Sequence, residues 1–518
     1  MSAMTTVETT HGRLQGVEEG GVRVFRGVPY ASPPVGELRF AAPQPPLPWP
    51  GTRPALAFGP AAPQVPPASP VAGEVPAVQD EDCLTLNIWT PGTDQARRPV
   101  LVWVHGGGFT GGAGSLALYH GARLAERGDV VVVTFNYRLG ILGFCAHPGL
   151  GSDDPASPRA NWGLLDQVAA LRWVNENIAA FGGDPDNVTV VGESAGGMSV
   201  CDLMVMPAAV GLFHRAVVQS GPPVAVSMAA AEARTARLLA VLGLARPDAL
   251  REVPVAALLD AQARVLAGGS AAAEADGGTG VPAGLALAPV VDGTSLPEDP
   301  SAVFERGGSA PVPLLIGTNR DEAKLFLVAD PQNRQPDEAT VRRRLDRAFA
   351  AAGVRRSPER VLDAYRAARS ARGEPTDPRE LWSAIETDRI FRIGSLRAAQ
   401  AHAQVAPTYS YLFTWESPAM HGALGACHAL EIPFVFGTLD APGMDRFAGS
   451  GEDASALSQV MMDAWLAFAR TGRPGHAALP TWPPYDSGRR ATMVLGPTIE
   501  VVEGPMDQER ALWEAAAV

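Results

Sequence analysis

The chain has 518 residues, a net charge of −13, and a composition that is 46% hydrophobic and 19% charged. That is a globular profile with ample material for a core. Its acidity argues against a nucleic-acid binder, because phosphate contacts need clustered cations and the short runs Arg342-Arg343-Arg344 and Arg489-Arg490 read as solvated faces.

The N-terminal stretch MSAMTTVETTHGRLQG lacks the basic and apolar regions of a secretory leader. No apolar run reaches the length of a membrane span. The four cysteines, Cys83, Cys145, Cys201 and Cys427, are too few for a disulfide framework. A soluble, reduced, cytoplasmic and monomeric protein is expected.

Residues 41–80 are rich in proline and alanine and are predicted as irregular surface chain, anchored by Trp49 and Phe58. Short apolar runs then predict buried strands at VLVWV (100–104), VVVTF (131–135), VTVV (188–191) and PLLIG (313–317). The segment 151–160 reads as a loop. After it, Leu164, Val168, Leu171, Val174 and Ile178 recur at three and four, the spacing of one helix face over 164–178. The glycine-rich stretch 267–280 reads as a second surface loop. Buried strands alternating with helices predict an α/β protein with a mostly parallel sheet covered on both faces. No linker divides the chain, so one domain is expected, with helical insertions between about 225 and 420.

The strand at 188–191 runs into Gly192-Glu193-Ser194-Ala195-Gly196. A serine on a tight strand-to-helix turn stands clear of the sheet, and small neighbours let strand and helix backbones pass close together. The bland alternative is an N-cap serine in a glycine-rich turn. A second feature weakens it. The strand at 100–104 ends in His105-Gly106-Gly107-Gly108-Phe109, whose glycines offer uncovered N–H groups to a developing oxyanion, each worth about 3–4 kcal/mol in acyl transfer. A serine nucleophile also needs a histidine base and a carboxylate that orients it. In the order Ser, acid, His, the histidines after Ser194 are His214, His402, His421, His428 and His476. His428 sits beside an apolar segment, whereas His214 reads as a surface residue. Asp321 and Glu322 both follow a buried strand, and the residues alone do not choose between them.

These features belong to a longer set: FRGVPYASPPVGELRF (25–40), EDCLTLNIWTP (81–91), HGGGF (105–109), NYRLGILGF (136–144), FGGDPDNVTVVGESAGG (181–197), PVVDGTSLP (289–297), GTNRDE (317–322) and HALEIPFVFG (428–437). In that order they resemble the type-B carboxylesterase family, which includes bacterial para-nitrobenzyl esterases and animal cholinesterases. The resemblance implies an α/β-hydrolase fold and a serine carboxylic ester hydrolase that works through an acyl-enzyme. It implies Ser194 as nucleophile, Glu322 as the acid and His428 as the base, with the N–H groups of Gly107, Gly108 and Ala195 as oxyanion hole. Glu193 and Ser220 match supporting positions, and Asp321 becomes structural. Phe109, Leu325 and Phe326 adjoin these residues and are candidate substrate-pocket walls. No metal or organic cofactor is expected, and the partners are a small-molecule ester and water.

The departures from the family narrow the substrate. The stretch VPPASPVAGEVPAVQD has no aromatic residue to receive a quaternary ammonium, so choline esters are not expected to be preferred. The sequence GPAAPQ leaves Cys83 without the upstream cysteine found in secreted relatives. After Gln219-Ser220-Gly221 the chain reads PPVAVS, with no large aromatic to narrow an acyl pocket. Two other function classes are weighed: a non-catalytic binding homologue, which would lack the nucleophile, and an amidase using the same residues.

Overall fold

The computed structural model describes residues 4–66, 76–150, 157–267, 285, 287–329, 335–351 and 356–514. Most of the loop expected at 267–280 and the first part of that at 151–160 lie outside them.

The β-branched runs become the middle of a 13-stranded sheet. From one edge its strands are Met4–Thr9, Gly12–Glu19, Val22–Pro29, Thr85–Thr90, Val131–Phe135, Arg98–Val104, Gly183–Glu193, Arg215–Gln219, Leu314–Asn319, Thr408–Phe413, Ala491–Leu495 and Glu500–Glu503. The short strand Thr52–Pro54 pairs with Gly12–Glu19. From Val131–Phe135 to Ala491–Leu495 every pairing is parallel. Apart from the parallel pairing of Thr52–Pro54, the outer pairings are antiparallel. Parallel strands need crossover connections, which place helices on both faces and explain why the central strands are apolar throughout rather than alternating.

The two faces feed separate cores. Val100, Val102 and Val104 join Val188 and Val190 in one, while Leu101 and Trp103 join Val191 and Val217 in the other. That is the period-two geometry of a strand buried on both sides. A third core, built from Leu345, Phe349, Leu362, Tyr365, Leu381 and Trp382, belongs to the helices Glu338–Ala351, Pro358–Ala371 and Pro378–Thr387.

Among the described residues the stretch 225–420 is mostly helical, and the strand predicted at 313–317 is Leu314–Asn319. Several expectations need correction. The strand Thr408–Phe413, which was not predicted, also returns from that stretch to the sheet. The helix predicted at 164–178 runs Trp162–Asn177, and Asp166, Gln167 and Trp173 are buried along with its apolar stripe. Asp166 is buried because it pairs with Arg138 at 2.7 Å, an interaction that periodicity cannot reveal. In the segment 41–80, Trp49 is packed and donates to the Arg13 carbonyl, but Phe58 is 38% exposed. Buried Ala55, Ala61 and Ala62 anchor that stretch instead. All four cysteines are buried and unbonded.

One buried acid stands apart. Asp202, on the helix Ala195–Leu203, is wholly buried, and neither of its carboxylate oxygens has a hydrogen-bond partner among the described residues. Burial drives its carboxyl far above the usual range. The folded state therefore keeps the proton while the unfolded chain releases it above about pH 4. Stability is greatest below that pH and falls as pH rises towards the folded value. Asp202→Asn removes this ionisation. The variant is expected to unfold with the same midpoint as the parent near pH 4 and to gain on it by about 1 kcal/mol per pH unit above. Denaturation at pH 4, 6 and 8 checks this, and a constant gap between the two proteins refutes it.

Candidate active site

The strand Gly183–Glu193 ends at Ser194, whose backbone sits at φ 56° and ψ −125°, and the helix Ala195–Leu203 begins at the next residue. That conformation is strained, by about 1–3 kcal/mol for a non-glycine residue, and the surrounding chain holds it in place. Ser194 N–H donates to the Gln219 carbonyl at 2.9 Å, and the Ser194 carbonyl accepts from Met198 N–H at 2.9 Å. The small neighbours are required by contact: a Cβ on Gly192 would lie 2.3 Å from the Gly196 carbonyl oxygen, and one on Gly196 would lie 2.0 Å from that of Val104.

The strand Arg98–Val104 runs beside Gly183–Glu193 in parallel register, so its C-terminal loop arrives next to Ser194. A Cβ on Gly106 would come within 3.0 Å of Ser194 Cβ. Gly107 turns at φ 113°, and a side chain there would strike the Gly111 carbonyl at 2.1 Å. Ala195 N–H belongs to the first helical turn, where no intrahelical acceptor exists. The glycine loop and the first turn of that helix therefore meet at the serine.

Each of the competing histidines apart from His421 has another engagement. His214 Nδ1 accepts from Val188 N–H, and His476 Nε2 lies 3.0 Å from the Val460 carbonyl. His402 is held between Ser309 and the Val312 carbonyl, 2.8 Å from each. His421 is exposed. His428 alone meets a buried carboxylate, with Nδ1 2.6 Å from Glu322 Oε2. A carboxylate accepts only, so in the neutral imidazole Nδ1 carries the proton and the Nε2 lone pair is left free. Nε2 is buried without a hydrogen-bond partner among the described residues, although Glu193 Oε1 lies 3.2 Å away in poor hydrogen-bond geometry. His105 lies near the serine but is buried, stacked on Tyr137 at 4.4 Å, and burial pushes its pKa down to about 4.

The two acids left open by the sequence separate in space. Glu322 is completely buried and its Oε1 accepts from Asn319 N–H at 2.7 Å. Asp321 turns away, accepts from Ala426 N–H at 3.0 Å, and pairs with Arg320 at 2.9 Å. Burial opposes its charge, but Arg320 and Lys324 outweigh that and hold its carboxyl below the usual range.

Sequence reasoning missed several neighbours. Glu431, one helical turn past His428, is fully buried and accepts from Gln219 Nε2 at 2.9 Å and Asn319 Nδ2 at 2.6 Å. Asn319 Nδ2 also donates to the Cys427 carbonyl at 2.7 Å, and Trp465 Nε1 donates to Gln219 Oε1 at 2.9 Å. All but Trp465 lie inside quoted motifs, so the signal was present without a role attached. Phe391 lies in none. It sits on the π-helical turn Asp388–Arg392 with its ring 4.6 Å from the His428 imidazole. Ser220, at φ 51°, is buried, and its hydroxyl has no partner among the described residues.

The three candidate pocket walls part company. Phe326 is 48% exposed, stacks on Phe391 and lies 5.1 Å from the His428 ring. Leu325 is partly buried against the adjoining core. Phe109 is withdrawn as a wall: it has no exposed surface and packs on Phe144 at 4.9 Å. Its positive φ of 60° turns the side chain into the core as the loop bends around the glycines. A small apolar hollow lies behind Phe144, between the helices Met228–Leu242 and Val255–Ala267, and Ser194 does not line it.

Glu193 and His428 set each other's charge. Burial, reinforced by Glu431 and Glu322, drives the Glu193 carboxyl upward. Burial alone would lower the His428 imidazole, but Glu193 and Glu322 more than offset it and raise its pKa.

The sequence pattern that defines the carboxylesterase family matches residues 3–513. The chain belongs to the carboxylesterase family. This carboxylesterase is 40% identical to the para-nitrobenzyl esterase of Bacillus subtilis (strain 168) over 514 residues, 97% of each chain. It is 40% identical to the phenmedipham hydrolase of Pseudarthrobacter oxydans, over 94% of each. Among solved structures, a Geobacillus stearothermophilus carboxylesterase matches with a TM-score of 0.84 and 41% identity over 98% of this chain and 100% of that one. The fold is therefore that of the α/β hydrolases, and the activity is ester hydrolysis by a serine hydrolase. Acyl-enzyme chemistry is general to the family. No helix among the described residues is long and apolar enough to cross a membrane.

Proposed function

We propose that this carboxylesterase cleaves small to medium aryl and alkyl esters through an acyl intermediate on Ser194. The observation that carries the reading is the 2.6 Å contact between His428 Nδ1 and Glu322, with Nε2 left unpartnered. His428 Nε2 takes the Ser194 proton as the hydroxyl adds to the ester carbonyl. Glu322 fixes the tautomer and stabilises the imidazolium. The carbonyl oxygen, now negative, is received by the N–H groups of Gly107, Gly108 and Ala195. The alcohol leaves with the proton from His428, and water repeats the sequence on the acyl-enzyme. Glu193 and Ser220 support the imidazole, and Asp321 holds the chain that carries it. Leu325 and Phe326 line the substrate side. The relatives named for p-nitrobenzyl esters and phenmedipham support a site tolerant of aromatic groups. The missing aromatic residue at 65–80 argues against choline esters, and PPVAVS after Gly221 supports a roomy acyl side. The unbonded cysteines support a reducing compartment, and the full reading is a cytoplasmic, single-domain monomer.

Hydrolysis of p-nitrophenyl esters from acetate to octanoate tests the pocket. Butyrate and hexanoate are expected to match or exceed acetate in kcat/KM. A steep decline beyond acetate would remove the roomy acyl side.

The charge coupling predicts a pH effect. Activity needs neutral His428, so kcat/KM falls as pH drops through its raised pKa. Glu193→Gln removes one of the carboxylates that raise it, and the acid limb of the profile should move to lower pH. A limb that stays in place would mean that Glu193 exerts no field on His428.

A further inference from the structure

Of the 42 lysine and arginine residues, one is lysine: Lys324, two positions after Glu322. Its side chain is 14% exposed, and its ammonium lies 3.3 Å from Asp321 Oδ1 and 3.0 Å from Glu380 Oε2. Both carboxylates lead to His428. Asp321 grips the residue two before it, accepting from Ala426 N–H through Oδ2 and donating its own N–H to the Ala426 carbonyl. Glu380 stands in the first turn of the helix Pro378–Thr387, which continues into the π-helical turn that carries Phe391. One side of the ammonium thus holds the chain bearing the imidazole, and the other holds the helix whose aromatic ring covers it. Arg320, itself paired with Glu416 at 2.6 Å, extends the ion pairs on the Asp321 side. Beyond Glu380 they run on through Arg369, Glu374, Arg372 and Glu509. Among the described residues, Lys324 is the member that contacts carboxylates from both halves.

The chemistry of the gap suits an ammonium. Arginines elsewhere in the network also bridge two carboxylates, but a guanidinium is a broad planar fork, whereas an ammonium is a compact point charge that fits a narrow gap between two of them. The main chain of Gly425 presses on the gap: at φ 54°, a Cβ there would lie 2.6 Å from Asp321 Oδ2 and 3.2 Å from Lys324 Nζ. A longer and flatter cation would have to displace that turn.

We propose that Lys324 is a positioning residue, whose ammonium ties the Asp321 clamp to Glu380 and so sets the His428 imidazole against Phe391. The proposal rests on His428 being the base. It predicts a loss in kcat rather than in KM, because the group acts on the orientation of the base and not on substrate binding.

The test measures kcat and KM on p-nitrophenyl acetate for the parent, Lys324→Met, Glu380→Gln and the double variant, with Ser194→Ala as blank. Lys324→Met is expected to lower kcat about tenfold with KM held within about twofold. Glu380→Gln should lose less, and the double variant should be no slower than Lys324→Met, since both remove one bridge. A kcat for Lys324→Met within twofold of the parent, or losses that multiply in the double variant, would overturn the proposal. A rescue guards against misfolding. Lys324→Cys, treated as folded protein with 2-bromoethylamine, regains an ammonium at nearly the native reach, while the four native cysteines are buried. Recovery of most of the lost kcat is expected, and complete alkylation without recovery overturns the proposal. Activity that survives in Ser194→Ala would strike the site assignment and the proposal with it. Activity that depends on Ser194 but ignores Lys324 strikes the proposal alone.

Discussion

Ser194→Ala is expected to lower kcat on p-nitrophenyl esters by about 10⁶ while leaving KM and the unfolding midpoint close to those of the parent. The size follows from the arrangement. Without the hydroxyl there is no acyl-enzyme, and the imidazole has no proton to remove from the protein. On the proposed mechanism what remains is the donor set of Gly107, Gly108 and Ala195 acting on water, which in serine hydrolases retains about 10³–10⁴ over the uncatalysed reaction. Folding should be indifferent, because the elbow is held by main-chain bonds from Ser194 N–H to Gln219 and from Met198 N–H to Ser194, neither of which involves the side chain. Single-turnover measurement with enzyme in excess gives the needed sensitivity. A loss smaller than a hundredfold would transfer the nucleophile's role elsewhere.

Glu322→Gln is expected to cost about 10⁴ in kcat, again with a folded protein. The substitution is isosteric, and the carbonyl of the new amide can still accept from Asn319 N–H, which Glu322 Oε1 takes at 2.7 Å. The amide NH₂ would then face His428 Nδ1, where the carboxylate Oε2 now lies at 2.6 Å. Two donors cannot share that contact. The imidazole must present its lone pair to the amide and carry its proton on Nε2, the wrong tautomer for a base. Raising the pH does not repair this, since the fault is in the tautomer and not in the charge. The pH profile of kcat therefore separates this outcome from a simple pKa change. A loss of less than tenfold would show that Glu193 or Glu431, both buried near the imidazole, can orient it instead.

The two carboxylates at 321 and 322 mark the boundary of what pattern alone conveys. Both follow the same buried strand, and both suit a triad by residue type. Their division of labour depends on Asn319, whose main chain meets Glu322 and whose side chain meets Cys427 and Glu431. Gln219 and Glu431 were equally visible as letters, but a buried hydrogen-bond relay joins residues far apart in sequence and leaves no periodic trace. Phe391 has still less signal. A π-helical turn places it over His428, and the local sequence does not announce such a turn. Phe109 shows the converse error, since adjacency in sequence to the glycine loop suggested a wall while the positive φ sends the ring into the core.

The sequence by itself determined the sheet and the chemistry. Runs such as Val131–Phe135 have no other stable use than burial on both faces, and a lone serine among residues of minimal bulk is dictated by backbone contacts as close as Gly196 to Val104. Such constraints are local, so they are written in contiguous residues. Only the tertiary structure decided which histidine and which acid meet, why Asp166 is buried, and how the single lysine comes to lie between two carboxylates that both lead to His428. Each of those depends on loops brought together from distant strands by crossover connections, and the free energy of a buried charge or hydrogen bond is set by the partners that arrive, not by the residue that waits for them.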